Sequence, residues 1–273
     1  FIKAEGLGND FVIFFNQADI KITKKLITFL CDRKIGIGCD LVALTKESDN
    51  DYSDIKVNFF NRDGSKAEIC GNALRCIGKY YFTTTKKENI TVETCSGLID
   101  IEKFDSDLVI VDLGKPKLDW KKIPMKFDID TCNLGIDLQY LKGGVAVNVG
   151  NPHVIFFVEN IDKKKLERDA KELSRLKLFP DGVNINIVKL VSKNKINALT
   201  FERGVGLTQA CGSGAGASAF VSYKMNFCEK KIEVCMAGGN LNVEISKDEH
   251  ILTIGAAKLV FEGNIDIENS LEQ

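Results

Sequence analysis

Phe201-Glu-Arg-Gly-Val-Gly-Leu-Thr-Gln-Ala-Cys211-Gly212 lies over Phe60-Asn-Arg-Asp-Gly-Ser-Lys-Ala-Glu-Ile-Cys70-Gly71 with Phe, Arg, Cys and Gly in step, at an offset of 141 residues. Towards the N-terminus, Gly8-Asn9-Asp10-Phe11-Val12-Ile13-Phe14-Phe15 falls on Gly150-Asn151-Pro152-His153-Val154-Ile155-Phe156-Phe157 at offset 142, and six of the eight positions are identical. Towards the C-terminus, Ile90-Thr-Val92 falls on Ile232-Glu-Val234 and Gly97 on Gly239, again at 142. A nearly constant offset over this span means two copies of one fold, expected to be related by a pseudo-two-fold. The expected domains are 1–115, carrying Cys70, and 116–273, carrying Cys211, with the seam near Gly114-Lys-Pro116. The tail, about 259–273, is expected to be able to return to the first domain.

Short β-branched and aromatic runs bounded by Gly, Asn, Asp or Lys read as strands. They are Phe11–Phe15, Ile55–Phe60, Ile90–Thr94, Leu108–Val111, Val145–Val149, Val154–Val158, Asn184–Leu190, Ala198–Glu202, Ile232–Cys235, Leu241–Ile245 and Ile251–Ile254. Helical spacing is confined to Ile22–Asp32 and Lys163–Leu176, at matching places in the two halves, and to Gly71–Tyr81 and Gly212–Tyr223, directly after the paired cysteines. The last of these is small and apolar on every side, which predicts burial. The expected fold class is α/β (α+β), each half a mostly β domain wrapped around one buried helix.

With 273 residues, each half can bury its own core. Hydrophobic residues at 44% and charged residues at 27% are ordinary for a globular protein. A net charge of −1 gives no electrostatic case for nucleic acid or a membrane surface. No apolar run approaches membrane-spanning length, and Phe1-Ile-Lys-Ala-Glu lacks the regions of a signal peptide. Nine cysteines without small-scaffold spacing suggest reduced thiols and a cytoplasmic setting. Cys70 and Cys76 are spaced C-x5-C, and His153 and His250 are the only histidines, so no metal site is expected.

Cys70 and Cys211 each precede Gly at an expected helix N-terminus, where unpaired N–H groups and the helix dipole favour an anion. Such a setting lowers a thiol pKa. The same N–H groups can hold a carboxylate. A single free cysteine most often belongs to the core. Core packing, however, does not require Cys-Gly at both duplicated positions, so this pair reads as functional and the other seven cysteines as structural. Two thiols on opposite sides of a carbon suit removal of a proton from one face and its return to the other.

Other positions keep two readings from sequence alone. His153, after Pro152 in a turn, can make a local backbone hydrogen bond or stand beside the site. Glu202-Arg203 can be a solvated pair or a carboxylate ligand, since the arginine fork binds both oxygens. Asn9, Asn61, Asn72, Asn151 and Asn184 all lie in turn-like sequence, although Asn9 and Asn151 are related by the repeat. Gly212-Ser-Gly214-Ala-Gly216-Ala217, with Glu233 about twenty residues on, fits a dinucleotide fingerprint. Its context is wrong, because a long loop separates it from the strand that ends near Glu202.

Taken together, Gly6-Leu-Gly-Asn-Asp-Phe11, Phe60-Asn-x-Asp-Gly-Ser65, Cys70-Gly-Asn72 with Arg75, Gly150-Asn-Pro-His153 and Glu202-Arg-Gly-x-Gly-x-Thr208-x-Ala-Cys-Gly-Ser-Gly214 closely resemble the diaminopimelate epimerase family. They span nearly the whole chain in the family's order. The resemblance implies two domains, each a β-barrel around a central helix, with a site in the cleft between them. It implies cofactor-independent epimerisation of LL- to meso-2,6-diaminopimelate, in lysine and peptidoglycan precursor synthesis, with Cys70 and Cys211 as acid and base. His153 and Glu202 would assist the thiols. Asn9, Asn61, Asn151, Asn184, Glu202 and Arg203 would contact substrate, and the N–H groups of Gly71, Asn72, Gly212 and Ser213 would hold the reacting carboxylate. The expected partner is this small molecule, with a homodimer compatible.

Three positions depart from the family pattern: Ala73 replaces a glycine, Leu41 a Gln or Gly, and Ala4-Glu5 a Met-His or Met-Gln. Ala73 is harmless where φ is helical and costly where φ is positive. The nearest alternative is a racemase or epimerase of the same duplicated fold acting on proline or hydroxyproline. An NAD-dependent dehydrogenase using the Gly212 loop and a non-catalytic amino-acid-binding protein come from other classes. Nicotinamide binding would mark the first of these, and failure of bound substrate to take up solvent deuterium the second.

Overall fold

The computed structural model describes residues 1–15 and 22–267. The chain divides into two units, Phe1–Val111 with Gly255–Gln273, and Asp112–Ile254. The first runs β1 (Ile2–Gly6), β2 (Asn9–Phe14), α1 (Lys24–Cys31), β3 (Leu41–Glu47), β4 (Ile55–Asn61), β5 (Lys66–Ala67), α2 (Gly71–Thr85), β6 (Asn89–Thr94), β7 (Gly97–Lys103) and β8 (Leu108–Asp112). The second runs β9 (Ile136–Asp137), β10 (Lys142–Gly143), β11 (Val145–Asn148), β12 (Pro152–Phe157), α3 (Lys163–Leu173), β13 (Asn184–Ser192), β14 (Lys195–Glu202), β15 (Gly206–Leu207), α4 (Gly212–Lys224), β16 (Lys231–Met236), β17 (Gly239–Ile245) and β18 (Ile251–Ala256). A last strand, β19 (Lys258–Glu262), pairs antiparallel with β1, Ile2 opposite Glu262 and Glu5 opposite Lys258. The chain therefore rejoins the first unit at Gly255, a few residues before the expected 259. Residues 268–273 of that tail lie outside the described residues.

The two units repeat one topology. In the first, β1 and β2 pair antiparallel, α1 crosses to β3 parallel to β2, β3 turns back on β4, and α2 crosses to β6 parallel to β4. β7 and β8 follow as antiparallel neighbours. In the second, β11 and β12 pair, α3 crosses to parallel β13, β14 turns back, α4 crosses to parallel β16, and β17 and β18 follow. A parallel step cannot be closed by a tight turn, and each one here is made by a helix. Every strand and helix expected from the sequence is present. Strands β1, β3, β7 and β19 have no counterpart among the expected strands, nor do the two-residue strands β5, β9, β10 and β15. β1 and β7 carry charged residues on their outward faces, so their apolar runs are never longer than two residues.

Each unit has a helix buried among its strands. α4 is buried from Gly212 to Ser222 and packs on β11, β12, β13, β14, β16 and β17. α2 is buried from Gly71 to Gly78 against β1, β2, β6, β7 and β19. Ala73 lies in the helical part of α2, so its missing glycine carries no backbone strain. The outer helices are amphipathic and cover the other faces of their sheets. Leu26, Ile27 and Leu30 of α1 meet Val12, Val42 and Phe60, and Leu166, Ala170 and Leu173 of α3 meet Phe156, Ile185 and Ile187. Each is N-capped, by Thr23 accepting from Leu26 N–H at 3.1 Å and by Asp162 accepting from Lys165 N–H at 3.1 Å.

Small residues let the strands close on α4. A Cβ on Gly216 would stand 2.8 Å from Leu113 Cδ1 and 3.0 Å from Ile251 Cγ2. Gly216→Ala is therefore expected to lower the unfolding free energy by about 1–3 kcal/mol, the usual cost of overpacking, as read from urea denaturation. Unchanged stability would mean that the strands have room to move apart.

Candidate active site

Cys70 and Cys211 occupy the N-cap positions of α2 and α4 with nearly the same backbone, φ −136° and ψ 98° against φ −126° and ψ 113°. The helical ladders begin with Leu74 N–H on Cys70 O and Ala215 N–H on Cys211 O, both at 2.9 Å. The N–H groups of Gly71, Asn72, Gly212 and Ser213 precede those ladders and form the positive ends of the two buried helices.

In the first unit the thiol lies beside an amide that leads to a network of charged side chains. Cys70 Sγ lies 3.9 Å from Asn9 Oδ1. Asn9 Nδ2 donates to Asp40 Oδ2 at 3.0 Å, so the amide oxygen is the end turned to the thiol. Asp40 and Asp10 share Arg33, at 2.9 Å and 2.6 Å, and Asp10 also pairs with Lys3 at 2.7 Å. Burial raises the Asp10 carboxyl pKa, but the hydrogen bonds from Arg33 and Lys3 outweigh it and hold the group below the usual range. Arg75 is fully buried in the first turns of α2. Its Nη2 donates to Asn72 Oδ1 at 2.7 Å and its Nε to Ala256 O at 3.3 Å, while Nη1 has no hydrogen-bond partner. The Asn72 side chain is thus turned inward, leaving its backbone N–H as its contribution to the helix end. Asn61 donates to Ser65 Oγ at 3.1 Å within the turn after β4. Leu41 is buried at the start of β3, opposite Asn61.

In the second unit the thiol is surrounded by buried neutral groups. Cys211 Sγ accepts from Gly214 N–H at 3.3 Å and lies 3.5 Å from Ser213 Oγ. His153 Nε2 lies 3.1 Å from Ser213 Oγ and 2.9 Å from Asn151 Oδ1. His153 Nδ1 meets Asn186 Nδ2 at 2.9 Å. Burial pushes the His153 pKa down to about 3, and the charge of Arg203 works in the same direction. His153 is therefore a neutral ring near neutral pH, a hydrogen-bonding group rather than a store of positive charge.

Glu202 and Arg203 end β14, at a hairpin whose Gly204 and Gly206 have φ of +76° and +97°. No atom lies within 4 Å of a Cβ on Gly204, so that glycine is there for its backbone angle rather than for space. Thr208 Oγ1 donates to Glu202 Oε1 at 2.6 Å, and Arg203 Nη1 donates to Asp181 O at 3.0 Å. Asn184 ties the hairpin to the rest of the unit, donating to Pro152 O and accepting from Arg203 N–H, both at 3.0 Å. Strand β15, antiparallel to β14, stands between β14 and α4, which is not the immediate strand-to-helix turn of a dinucleotide fold.

Of the other cysteines, burial pushes Cys76 up to about 12, and its Sγ donates to Glu5 O at 3.4 Å. Cys31 and Cys39 lie 3.5 Å apart within a core. Among the described residues no group of three or more His, Cys, Asp or Glu is placed to hold a metal ion, and no helix is long and apolar enough to cross a membrane. Asp40, Thr200 and Asn186 were not singled out from the sequence. Asn184 and Asn186 alternate in a strand of apolar residues, and two polar side chains buried on one strand were the available signal.

A duplicated α/β unit presenting a thiol at the start of its buried helix defines a fold shared with solved isomerases. A hydroxyproline epimerase from Agrobacterium vitis superposes with TM-score 0.70 at 11% identity, covering 95% of this chain and 90% of that one. A methylitaconate-delta-isomerase superposes with TM-score 0.63 at 12% identity, covering 99% and 96%. The model of the diaminopimelate epimerase family matches residues 1–118 and 145–260, and the chain belongs to that family of isomerases. A diaminopimelate epimerase of Erythrobacter litoralis is 38% identical over 268 residues, 97% of each chain. One from Methanococcus maripaludis is 38% identical over 280 residues, 98% of this chain and 99% of that one.

The buried histidine gives a test of the site's electrostatics. Between about pH 6.5 and 3 the unfolded chain protonates this histidine and the folded one does not. Stability then falls as pH falls, by up to about 1.4 kcal/mol per pH unit from this group alone. Above pH 6.5 both states are neutral and the contribution vanishes. Urea unfolding of wild type and His153→Gln between pH 7 and 5 should show a shallower pH slope in the variant. Equal slopes would mean that His153 is charged in the folded protein.

Proposed function

We propose that the protein interconverts LL- and meso-2,6-diaminopimelate, with Cys70 and Cys211 as the acid/base pair and no organic cofactor. The observation carrying this reading is that both thiols hold the same N-cap position on duplicated buried helices. One thiolate removes the α-proton, and the opposite thiol protonates the other face of the same carbon. Each group must come within hydrogen-bond reach of that carbon. The N–H groups of Gly71, Asn72, Gly212 and Ser213 would stabilise the charge spreading into the carboxylate as the proton leaves. His153, neutral and hydrogen-bonded on both nitrogens, orients its neighbours rather than carrying the proton. Family membership supports a place in lysine synthesis, and a cytoplasmic setting, where thiols stay reduced, suits a two-thiol mechanism.

Incubation with LL-diaminopimelate in D2O, followed by NMR, tests the reaction. Loss of the α-proton signal with appearance of the meso isomer is expected, and hydroxyproline should show no exchange. Exchange with hydroxyproline alone would favour the proline-type reading of the fold. Cys70→Ala and Cys211→Ala should each abolish interconversion, whereas Cys76→Ala and Cys228→Ala should leave it running. Full turnover by either of the first two would refute the two-thiol assignment.

Arg203 is proposed to grip the distal carboxylate of the substrate, with Glu202 and the asparagines reading the distal ammonium. Binding energy from a remote group orients the reacting centre. Arg203→Lys keeps the charge and loses the fork. It is expected to cost about 1–3 kcal/mol in kcat/KM on diaminopimelate, the scale of a hydrogen bond to a charged group, and little on lysine, which lacks that carboxylate. Equal fractional losses on both substrates would assign Arg203 to the reacting end or to structure.

A further inference from the structure

The Asn186 amide is fixed in one orientation. Thr200 Oγ1 lies 2.8 Å from Asn186 Oδ1, and the Val154 carbonyl, which can only accept, lies 3.4 Å from Nδ2. Nδ2 therefore faces both Val154 and His153 Nδ1, and the Thr200 hydroxyl donates to Oδ1. A ring nitrogen that receives an N–H carries no proton of its own, so the His153 proton sits on Nε2. That N–H is directed at Asn151 Oδ1, 2.9 Å away, and Ser213 Oγ, 3.1 Å away. A serine oxygen that accepts from the ring turns its own hydrogen elsewhere, and Cys211 Sγ is 3.5 Å away. His153 and Asn186 are fully buried, and Thr200 and Ser213 nearly so, so water does not compete for these bonds. The packing is equally tight, because a Cβ on Gly214 would stand 2.6 Å from Asn186 Oδ1 and 2.7 Å from Thr200 Oγ1.

We propose that Thr200 and Asn186 are positioning residues that lock His153 as its Nε2–H tautomer, thereby aim the Ser213 hydroxyl at Cys211, and so stabilise the Cys211 thiolate. This deepens the reading of Cys211 as a catalytic thiol and rests on it. The donors run one way, Thr200 O–H to Asn186, Asn186 N–H to His153, His153 N–H to Ser213, and Ser213 O–H to sulfur. No proton is transferred along the chain; its effect is on where the hydrogens point. Hydrogen bonds to the charged form lower a pKa, and in a dry interior aligned bonds reinforce each other.

The titratable groups around α4 leave this assignment intact. His153 on β12 is neutral. Glu202 and Arg203 close β14, the strand that carries Thr200, and both remain when Thr200 is changed. Lys195–Glu233 at 2.7 Å and Lys231–Glu244 at 3.0 Å, on β14, β16 and β17, are paired with each other near the surface. Lys189 on β13 donates to Asn160 at 3.1 Å. Tyr223 and Lys224 stand at the far end of α4.

The test uses the intact protein with 13Cβ-labelled cysteine, with the Cys211 signal assigned from Cys211→Ser. Thr200→Val removes the hydroxyl at nearly constant shape and is expected to raise the Cys211 titration midpoint by about 0.5–1 pH unit, the shift one lost hydrogen bond produces. Thr200→Ser, which restores the donor, should return the midpoint to the wild-type value. A folded Thr200→Val protein that titrates Cys211 like wild type overturns the proposal. 15N-histidine NMR of wild type provides an independent measurement, expected to show the Nε2–H tautomer of His153 throughout the neutral range. The Nδ1–H tautomer overturns the proposal even where Thr200→Val fails to fold. Neither measurement contains substrate, so failure of the deuterium-exchange experiment would strike the proposed reaction and leave these outcomes to be judged on their own.

Discussion

A helix buried end-on among strands has nowhere to hide its first peptide N–H groups. The residues that carry them are buried, and the helix itself has no carbonyls to offer. In this protein that constraint arises twice, at Gly71 and at Gly212, and each time the residue before the glycine is a cysteine. The strands wrapped around α4 demand small side chains along it, and Gly214 and Gly216 admit no Cβ without displacing a neighbour. The same packing that stabilises the fold therefore keeps the helix end polar, largely buried and fixed, conditions under which backbone donors act strongly on an anion.

Duplication supplied the scaffold twice but not the surroundings. Around Cys70 the groups are charged: Arg75 buried in α2, and Asp40, Arg33 and Asp10 behind Asn9. Around Cys211 the hydrogen-bonded side chains are neutral and buried, Ser213, His153, Asn186 and Thr200, with the charge of Arg203 felt at His153. The two thiols thus meet different fields on equivalent backbones. The proposed reaction, taking a proton from one face and returning it to the other, does not need the two groups to match, because the two isomers of a long, doubly zwitterionic substrate would not present mirror-image environments.

The architecture was legible because it is repeated. Phe60–Gly71 and Phe201–Gly212 identify the same strand, loop and helix start, and the structure repeats the topology on either side of them. β1 and β7 were not legible, because charged residues alternating with apolar ones, half-buried in β1 and exposed in β7, break up the apolar signal that a strand buried on one face leaves behind. The thiols, Asn9, Asn151 and His153 could be read from the repeat and its motifs. Thr200 could not, since threonine is an ordinary residue for a β-strand; Asn186 stands out in an apolar strand, but its role emerges only when a Val154 carbonyl on the neighbouring strand decides which way its amide points. Hydrogen-bond direction is a tertiary property and leaves no trace in spacing.

Selectivity is a separate matter from the scaffold. The fold is shared with a hydroxyproline epimerase at 11% identity, so the buried helix and its N–H groups do not by themselves choose a substrate. In the proposed reading, selectivity for diaminopimelate resides in what projects from the frame, and the β14–β15 hairpin is the element assigned to it. Two positive-φ glycines set its turn, Asn184 ties its backbone to β12 and β13, Thr208 holds Glu202, and the Asp181 carbonyl holds Arg203. A guanidinium and a carboxylate restrained in this way lose little conformational freedom when a ligand arrives, so the proposed contacts would reward a doubly charged substrate for its full length. The hairpin leads through a short loop into Cys211 and α4, so the segment proposed to read the far end of the substrate is continuous with the one that carries the thiol.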